Sequence, residues 1–221
     1  MNKTFWQVDT SSAKFETDDL AALVSLADPK LGMTALRVGG APVEHLSLFQ
    51  VTNIESQQPT ECVPRGNDLI VSYPPTNDWP VTTEVYWRVA TRRPAPSIDF
   101  IISVETEQLD TAPEIFLQNH LGGHADAQQL ADGLTLVSLL NAPTDLAMMT
   151  LPAEYLHQTE INASAVDGPI TVESRLQFGP LEKGVIRRAR MRAAFLPSED
   201  AKTAAAECFA EFAASALPLT V

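Results

Sequence analysis

Short runs of alternating apolar and polar residues, broken by Gly, Pro, Asn and Asp, fill most of the chain. A period of two is the signature of half-buried strands. It predicts strands in "AALVSLAD" (21–28), "MTALRV" (33–38), "HLSLFQVTNI" (45–54) and "NDLIVSYPP" (67–75). "TTEVYWRVATRR" (82–93) and "SIDFIISVETEQL" (97–109) are the richest in β-branched and aromatic residues, and "PAP" separates them. "EIFLQNHL" (114–121), "GLTLVSLL" (133–140), "LAMMTL" (146–151), "PITVESRLQF" (169–178) and "GVIRRARMRAAFL" (184–196) continue the series. Gly39-Gly40 between two apolar runs reads as a hairpin turn. The tail changes period. Ser198 is placed as an N-cap, with Glu199 and Asp200 in the first turn, and Ala205, Phe209, Phe212 and Ala213 recur near helical spacing before Pro218. The segment after Gly123 forms a single helical turn at most. Many closely spaced strands and one terminal helix define an all-β sandwich or barrel. A doubly wound α/β fold is disfavoured, because helical patterns do not alternate with the strands.

Composition adds bounds to this picture. With 45% apolar and 19% charged residues in 221, one domain spanning 1–221 with a sizeable core is expected. No run approaches the roughly 18 apolar residues of a membrane span, and the first residues lack a signal-peptide core, so a soluble cytoplasmic protein is expected. Cys62 and Cys208 have no CxxC spacing and read as buried free thiols. The net charge of −13 argues against nucleic acid and against an anionic membrane surface as partners. GxSxG, P-loop and dinucleotide fingerprints are missing, and no cofactor is expected. Nothing in the pattern fixes the oligomeric state.

Four groups of residues could carry chemistry. His120 and His124 have the H-x-x-x-H spacing of zinc proteases, but Gly122-Gly123 between them breaks the helix that spacing requires, and no metal site is assigned. His120, at the end of a strand, suits general acid–base work, whereas His124 falls in the turn as a polar tip or ligand contact. Arg188, Arg190 and Arg192 share one strand face. They pair with cross-strand carboxylates, or Arg190 helps to hold an anionic ligand. Trp79 in "NDWP", and Arg88 beside Tyr86 and Glu84, suit sugar recognition, in which a ring stacks and polar groups take hydroxyls. The alternative is that Trp79 and Trp87 belong to the core. Carboxylates are numerous, and Glu105, Glu107, Glu173 and Glu182 lie on or near strands.

Two stretches resemble a known family when taken together. "FETDDLAALVSLADPKLGMTALRVGGAPVE" (15–44) is similar to the opening of the galactose mutarotase-like supersandwich, and "GVIRRARMRAAFLP" (184–197) fits a late strand of that fold. "IFLQNHLGG" (115–123) resembles the Asn-His segment of aldose 1-epimerases, matched at Asn119-His120. The resemblance implies a supersandwich-like antiparallel β-sandwich. It also implies His120 as the donor to a sugar ring oxygen and a late glutamate as base, with Glu173 or Glu182 as candidates. An earlier histidine is part of the family pattern, and His45 is the candidate here, without the family's Gly-rich surroundings.

The sequence thus leads to an all-β sandwich with a C-terminal α-helix that binds a carbohydrate or sugar acid through Trp79, Arg88, His124 and Arg190. The alternatives are an epimerase using His120 and Glu173, and an interaction domain using the Arg188/Arg190/Arg192 face.

Overall fold

The computed structural model describes residues 5–91, 95–122, 125–139, 144–151, 156–163 and 170–216. Two antiparallel sheets face each other. The nine-stranded sheet runs in the order β1 (Trp6–Val8), β2 (Ser12–Glu16), β3 (Leu20–Ser25), β4 (Met33–Val38), β6 (Leu46–Val51), β11 (Glu114–Leu121), β16 (Ile170–Gln177), β15 (Leu156–Ala163), with β5 (Ala41–Pro42) paired to β4. The eight-stranded sheet runs β12 (Ala125–Ala131), β13 (Leu134–Leu139), β14 (Thr144–Thr150), β17 (Ile186–Pro197), β10 (Ser97–Glu105), β9 (Thr82–Ala90), β8 (Asp68–Tyr73), β7 (Glu61–Arg65). This is the expected all-β sandwich. Gly39 and Gly40, at φ 55° and 82°, make the expected hairpin turn between β4 and β5.

The core lies between the sheets, and its centre is aromatic. Phe49 stacks parallel on Phe100 at 5.3 Å, and Trp87 meets both rings edge-on at 5.9 and 4.9 Å. Phe49 gets there through a β-bulge. On β6, Leu48 and Phe49 together oppose the single residue Asn119 of β11, and the register shifts between Gln118 and His120. Phe49 sits at φ 56°, a left-handed conformation that costs a bulky residue energy. Its amide cannot reach the ladder, and it donates instead to Asn119 Oδ1 at 2.8 Å. Asn119 Nδ2 donates to the Val172 carbonyl at 3.3 Å, so this fully buried carboxamide ties β6 to β16 across β11. Sequence reading took Asn119 only as the neighbour of His120; its side chain points the other way, into the core.

The tail forms α1 (Ala201–Ala214), as expected, but with a different buried face. Ala201, Ala205, Cys208 and Phe212 are buried, Phe209 is half-buried, and Ala213 is exposed. The steps of four, three and four keep one stripe on the outer face of the eight-stranded sheet, over Leu134, Leu136, Ala147, Met149, Ala194 and Leu196. Phe209 lies about 100° round the helix from Cys208 and falls at the rim. Ser198 does not cap α1. It lies in a 3-10 turn, and its hydroxyl donates to Asp145 at 3.1 Å. A second correction concerns residues 125–131, which form the edge strand β12 and not a helical turn. Pairing with β13 overrides the local preference of an Ala- and Gln-rich segment. Cys62 and Cys208 are free thiols, Cys208 buried and Cys62 half-buried. Among the described residues no helix is long and apolar enough to cross a membrane.

The bulge gives a direct stability prediction. Asn119→Ala leaves the Phe49 amide buried without an acceptor, at a cost of about 2 kcal/mol in urea unfolding with an unchanged m-value. A loss below about 0.5 kcal/mol, the range of neutral surface changes, would mean that the bulge stands without the carboxamide.

Candidate functional site

Strand alternation decides what the nine-stranded sheet shows to the outside. On β11, Ile115, Leu117, Asn119 and Leu121 point into the core, while Glu114, Phe116, Gln118 and His120 point out. On β16, Thr171, Glu173, Arg175 and Gln177 share that outer face. The register sets Gln118 opposite Glu173 and His120 opposite Thr171, so His120 and Glu173 are diagonal neighbours on one face. Gln118 Nε2 donates to Glu173 Oε1 at 3.0 Å, and the Thr171 hydroxyl lies 3.4 Å from His120 Nδ1. Further along, Arg175 donates to Glu114 Oε2 from Nε at 3.1 Å and from Nη2 at 2.6 Å, and Gln177 donates to Glu114 Oε1 at 2.9 Å. The Arg175 guanidinium holds the Glu114 carboxyl below the usual carboxylate range. It also lies 5.5 Å from the centre of the Phe116 ring, which is 40% exposed. An open cavity of about 290 Å³ is lined by Thr52, Phe116, Gln118, Glu173 and Arg175 among others.

His45 meets the end of β11 through a backbone contact. The Gly122 amide donates to the His45 carbonyl at 2.8 Å, and a Cβ on Gly122 would come within 2.1 Å of His45 Cβ. Only glycine permits this approach. His45 thus stands beside the end of β11. His120 and Glu173 are neighbours, whereas His45, opposite Gly122 on the other side of β11, lies four residues along the strand from the level of Glu173. Glu182 is in an exposed loop beyond β16, apart from that pair.

The other sequence candidates lie elsewhere. Arg88 and Arg190 are on the outer face of the eight-stranded sheet, across the sandwich from His120. Arg88 is held by Asp68 through two hydrogen bonds of 2.7 and 2.8 Å. Arg190 is only 5% exposed. It donates to Ser215 at 2.8 Å, its guanidinium is 4.8 Å from the Phe212 ring, and α1 covers it. Arg192 is equally enclosed, bound by Asp99 at 2.6 and 3.0 Å and by Glu211 at 2.8 Å. Arg190 and Arg192 thus anchor the helix and do not offer a surface to a ligand or partner. Trp79 is 9% exposed, part of the core, with its indole N–H on Thr83 Oγ1 at 2.8 Å. That removes the exposed ring expected from "NDWP". His124 lies outside the described residues.

Sequence reading missed Phe116, Gln118, Thr171 and Arg175. Their alternation in "EIFLQNHL" and "TVESRLQ" was visible, but the adjacency of β11 and β16, 50 residues apart in the chain, was not.

No family model matches the chain, and no curated protein matches its sequence. Solved structures do match its fold. A candidate aldose 1-epimerase from Escherichia coli K12 superposes with a TM-score of 0.56 over 82% of this chain and 97% of its own, at 10% identity. A protein of Synechocystis sp. PCC 6803 gives 0.62 over 90% and 100%, at 8% identity. A heparan sulfate lyase from Pedobacter heparinus gives 0.52 over 88% of this chain but 37% of its own, at 9% identity. The likeness is one of fold: the sandwich resembles that of the galactose mutarotase-like proteins.

One pH effect follows from the outer face of the eight-stranded sheet. Burial, and then the neighbouring Glu84 that accepts its hydroxyl, push the Tyr86 phenol up from 10 to about 12. The folded state then keeps a proton that the unfolded chain releases. Stability from this group is complete below pH 10 and is lost as pH rises from 10 to about 12. Tyr73, pushed up by burial, acts in the same direction. Urea unfolding of Tyr86→Phe should show a shallower alkaline decline than the parent; an unchanged slope would mean that Tyr86 titrates normally.

Proposed function

We propose that the outer face of the nine-stranded sheet at β6, β11 and β16 binds a carbohydrate. The observation that carries this reading is the pair Gln118 and Glu173 beside the exposed ring of Phe116 at an open cavity, with His120 and Thr171 next along the same sheet face. A sugar ring has apolar C–H faces and a rim of hydroxyls. Phe116 offers a surface for the first, and a carboxylate, an amide and an imidazole offer partners for the second. The fold it shares with proteins named for acting on aldoses and heparan sulfate supports the same reading. Calorimetric titration with neutral aldoses, uronates and sugar phosphates tests it. At least one sugar should bind, and Glu173→Gln and Phe116→Ala should each weaken binding about tenfold, the scale of one lost hydrogen bond to a charged group. Absence of binding by every sugar, or equal binding by both variants, would sink the proposal.

A second reading, epimerisation at the anomeric carbon, is favoured by the diagonal placement of His120 and Glu173. A Thr171 hydroxyl donating to His120 Nδ1 would leave the imidazole proton on Nε2, the form suited to a general acid. In this scheme Glu173 takes the anomeric hydroxyl proton while His120 protonates the ring oxygen. The bond between C1 and the ring oxygen breaks, the aldehyde rotates, and the ring closes on its other face as both protons return. Exchange spectroscopy on α and β anomers should show acceleration over buffer that His120→Ala removes while sugar binding persists. A parent protein no faster than buffer would end the enzymatic reading and leave the binding one standing.

A further inference from the structure

Directly opposite residues on β8, β9, β10 and β17 form rows across the outer face of the eight-stranded sheet. One row reads Asp68, Arg88, Asp99, Arg192. Each of its cations is closed by a carboxylate: Arg88 by Asp68, Arg192 by Asp99. Two rows along, the order is Ser72, Glu84, Ser103, Arg188. Ser103 stands where the first row has Asp99. Arg188, half-buried, therefore forms no ion pair among the described residues. Among the described residues, Glu84 is met by neutral hydroxyls, those of Tyr86 and, at 3.4 Å, Ser72. The short Ser103 side chain leaves a floor 5% exposed, and above it is an open cavity of about 270 Å³ walled by Glu84, Tyr86, Glu105 and Arg188, with exposed Ile186 at the rim.

We propose that this cavity is a binding site for a small zwitterion of the α-amino acid type. Its carboxylate would seat on Arg188 and its ammonium on the side of Glu84 and Glu105. Span supports this choice. Glu84 and Arg188 are two strands apart, roughly 9.6 Å at 4.8 Å per strand, with side chains roughly perpendicular to the sheet. Two charge-assisted hydrogen bonds of about 2.8 Å leave roughly 4 Å for the ligand's own separation of charge. Charge supports it as well. A lone anion would meet two carboxylates, a lone cation would meet the guanidinium, and a neutral polyol would leave both uncompensated. The size of the cavity, just under the roughly 300–1,000 Å³ of drug-sized sites, fits a small ligand, and Ile186 offers apolar contact to an aliphatic side chain. This site is on the opposite side of the sandwich from the proposed sugar face and is independent of it.

Calorimetric titration of the full chain with alanine and valine tests the proposal. The controls are N-acetylalanine, which lacks the cation, alaninamide, which lacks the anion, and glucose. The expected result is binding of the free amino acids, each single-charge analogue at least tenfold weaker. Arg188→Met should weaken binding at least tenfold at an unchanged melting temperature, and Arg188→Lys should restore part of it. Ser103→Leu, which fills the floor, should abolish binding; if it fails to fold, the Arg188 pair still decides. No binding of either amino acid, analogues that bind equally well, or an Arg188→Met variant that binds like the parent would overturn it. Glucose binding that Arg188→Met removes would also overturn it, by making the cavity a saccharide site.

Discussion

The hydrogen bond from the Phe49 amide to Asn119 fixes both the inside and the outside of this sandwich. It lets β6 place two consecutive residues, Leu48 and Phe49, in the core, where strict alternation would turn one of them to solvent. Phe49 completes the aromatic stack with Phe100 and Trp87 that joins the two sheets. The same bulge resets the register, so that Ser47 and Gln50 face outward beside His120 and Gln118. A flat ladder would have put the hydrophobic set of β6 out of phase on one side of the bulge. The strained φ of Phe49 is thus the local cost of a correct phase on both sides of it.

Charge follows a comparable economy of position. The chain carries 28 acidic and 15 basic residues, so carboxylates outnumber the cations that could pair with them. Lys30, Arg37, Arg88, Arg175, Lys183 and Arg192 each meet a carboxylate. Most of these pairs are exposed and contribute little to stability. Arg192 differs: it is enclosed between Asp99, Glu211 and the Phe212 ring, and it links β10, β17 and α1. Breaking that group would strand a buried charge, so it fixes where the helix lies. The helix in turn covers β13, β14 and the end of β17, and it leaves the β8–β10 side of the same face open.

The sequence made the strands legible wherever one face is buried. "MTALRV" and "EIFLQNHL" match β4 and β11 to the residue, because alternation there is undisturbed at the ends. β1, β2, β7 and β15 escaped notice: they are short or polar, and their order comes from pairing with a neighbour. The Arg188/Arg190/Arg192 face was read correctly as a face, but α1 closes most of it, and no local pattern shows which strand a distant helix will cover. Trp79 illustrates the same limit. Its flanking Asn, Asp and Pro signal a loop, and it is a loop, yet the ring folds back into the core and satisfies its N–H on Thr83.

The Asn119-His120 dipeptide shows why a motif on a strand has to be judged by faces. Adjacent strand residues point to opposite sides, so these two cannot act as one chemical unit. Asn119 belongs to the core and the bulge, and only His120 is offered to a ligand. The residues that join His120 come from another strand: Glu173 and Thr171, both from β16. His45, just before β6, is held against Gly122 by the backbone, since its carbonyl accepts from the Gly122 amide and its Cβ fills the space that any larger residue at 122 would need. Gly122, which first reads as a helix breaker in H-x-x-x-H, is better understood as the contact that lets β6 and β11 close. The distance between the two histidines' backbones is then a property of the sheet, independent of either imidazole, and replacing one ring leaves the position of the other intact.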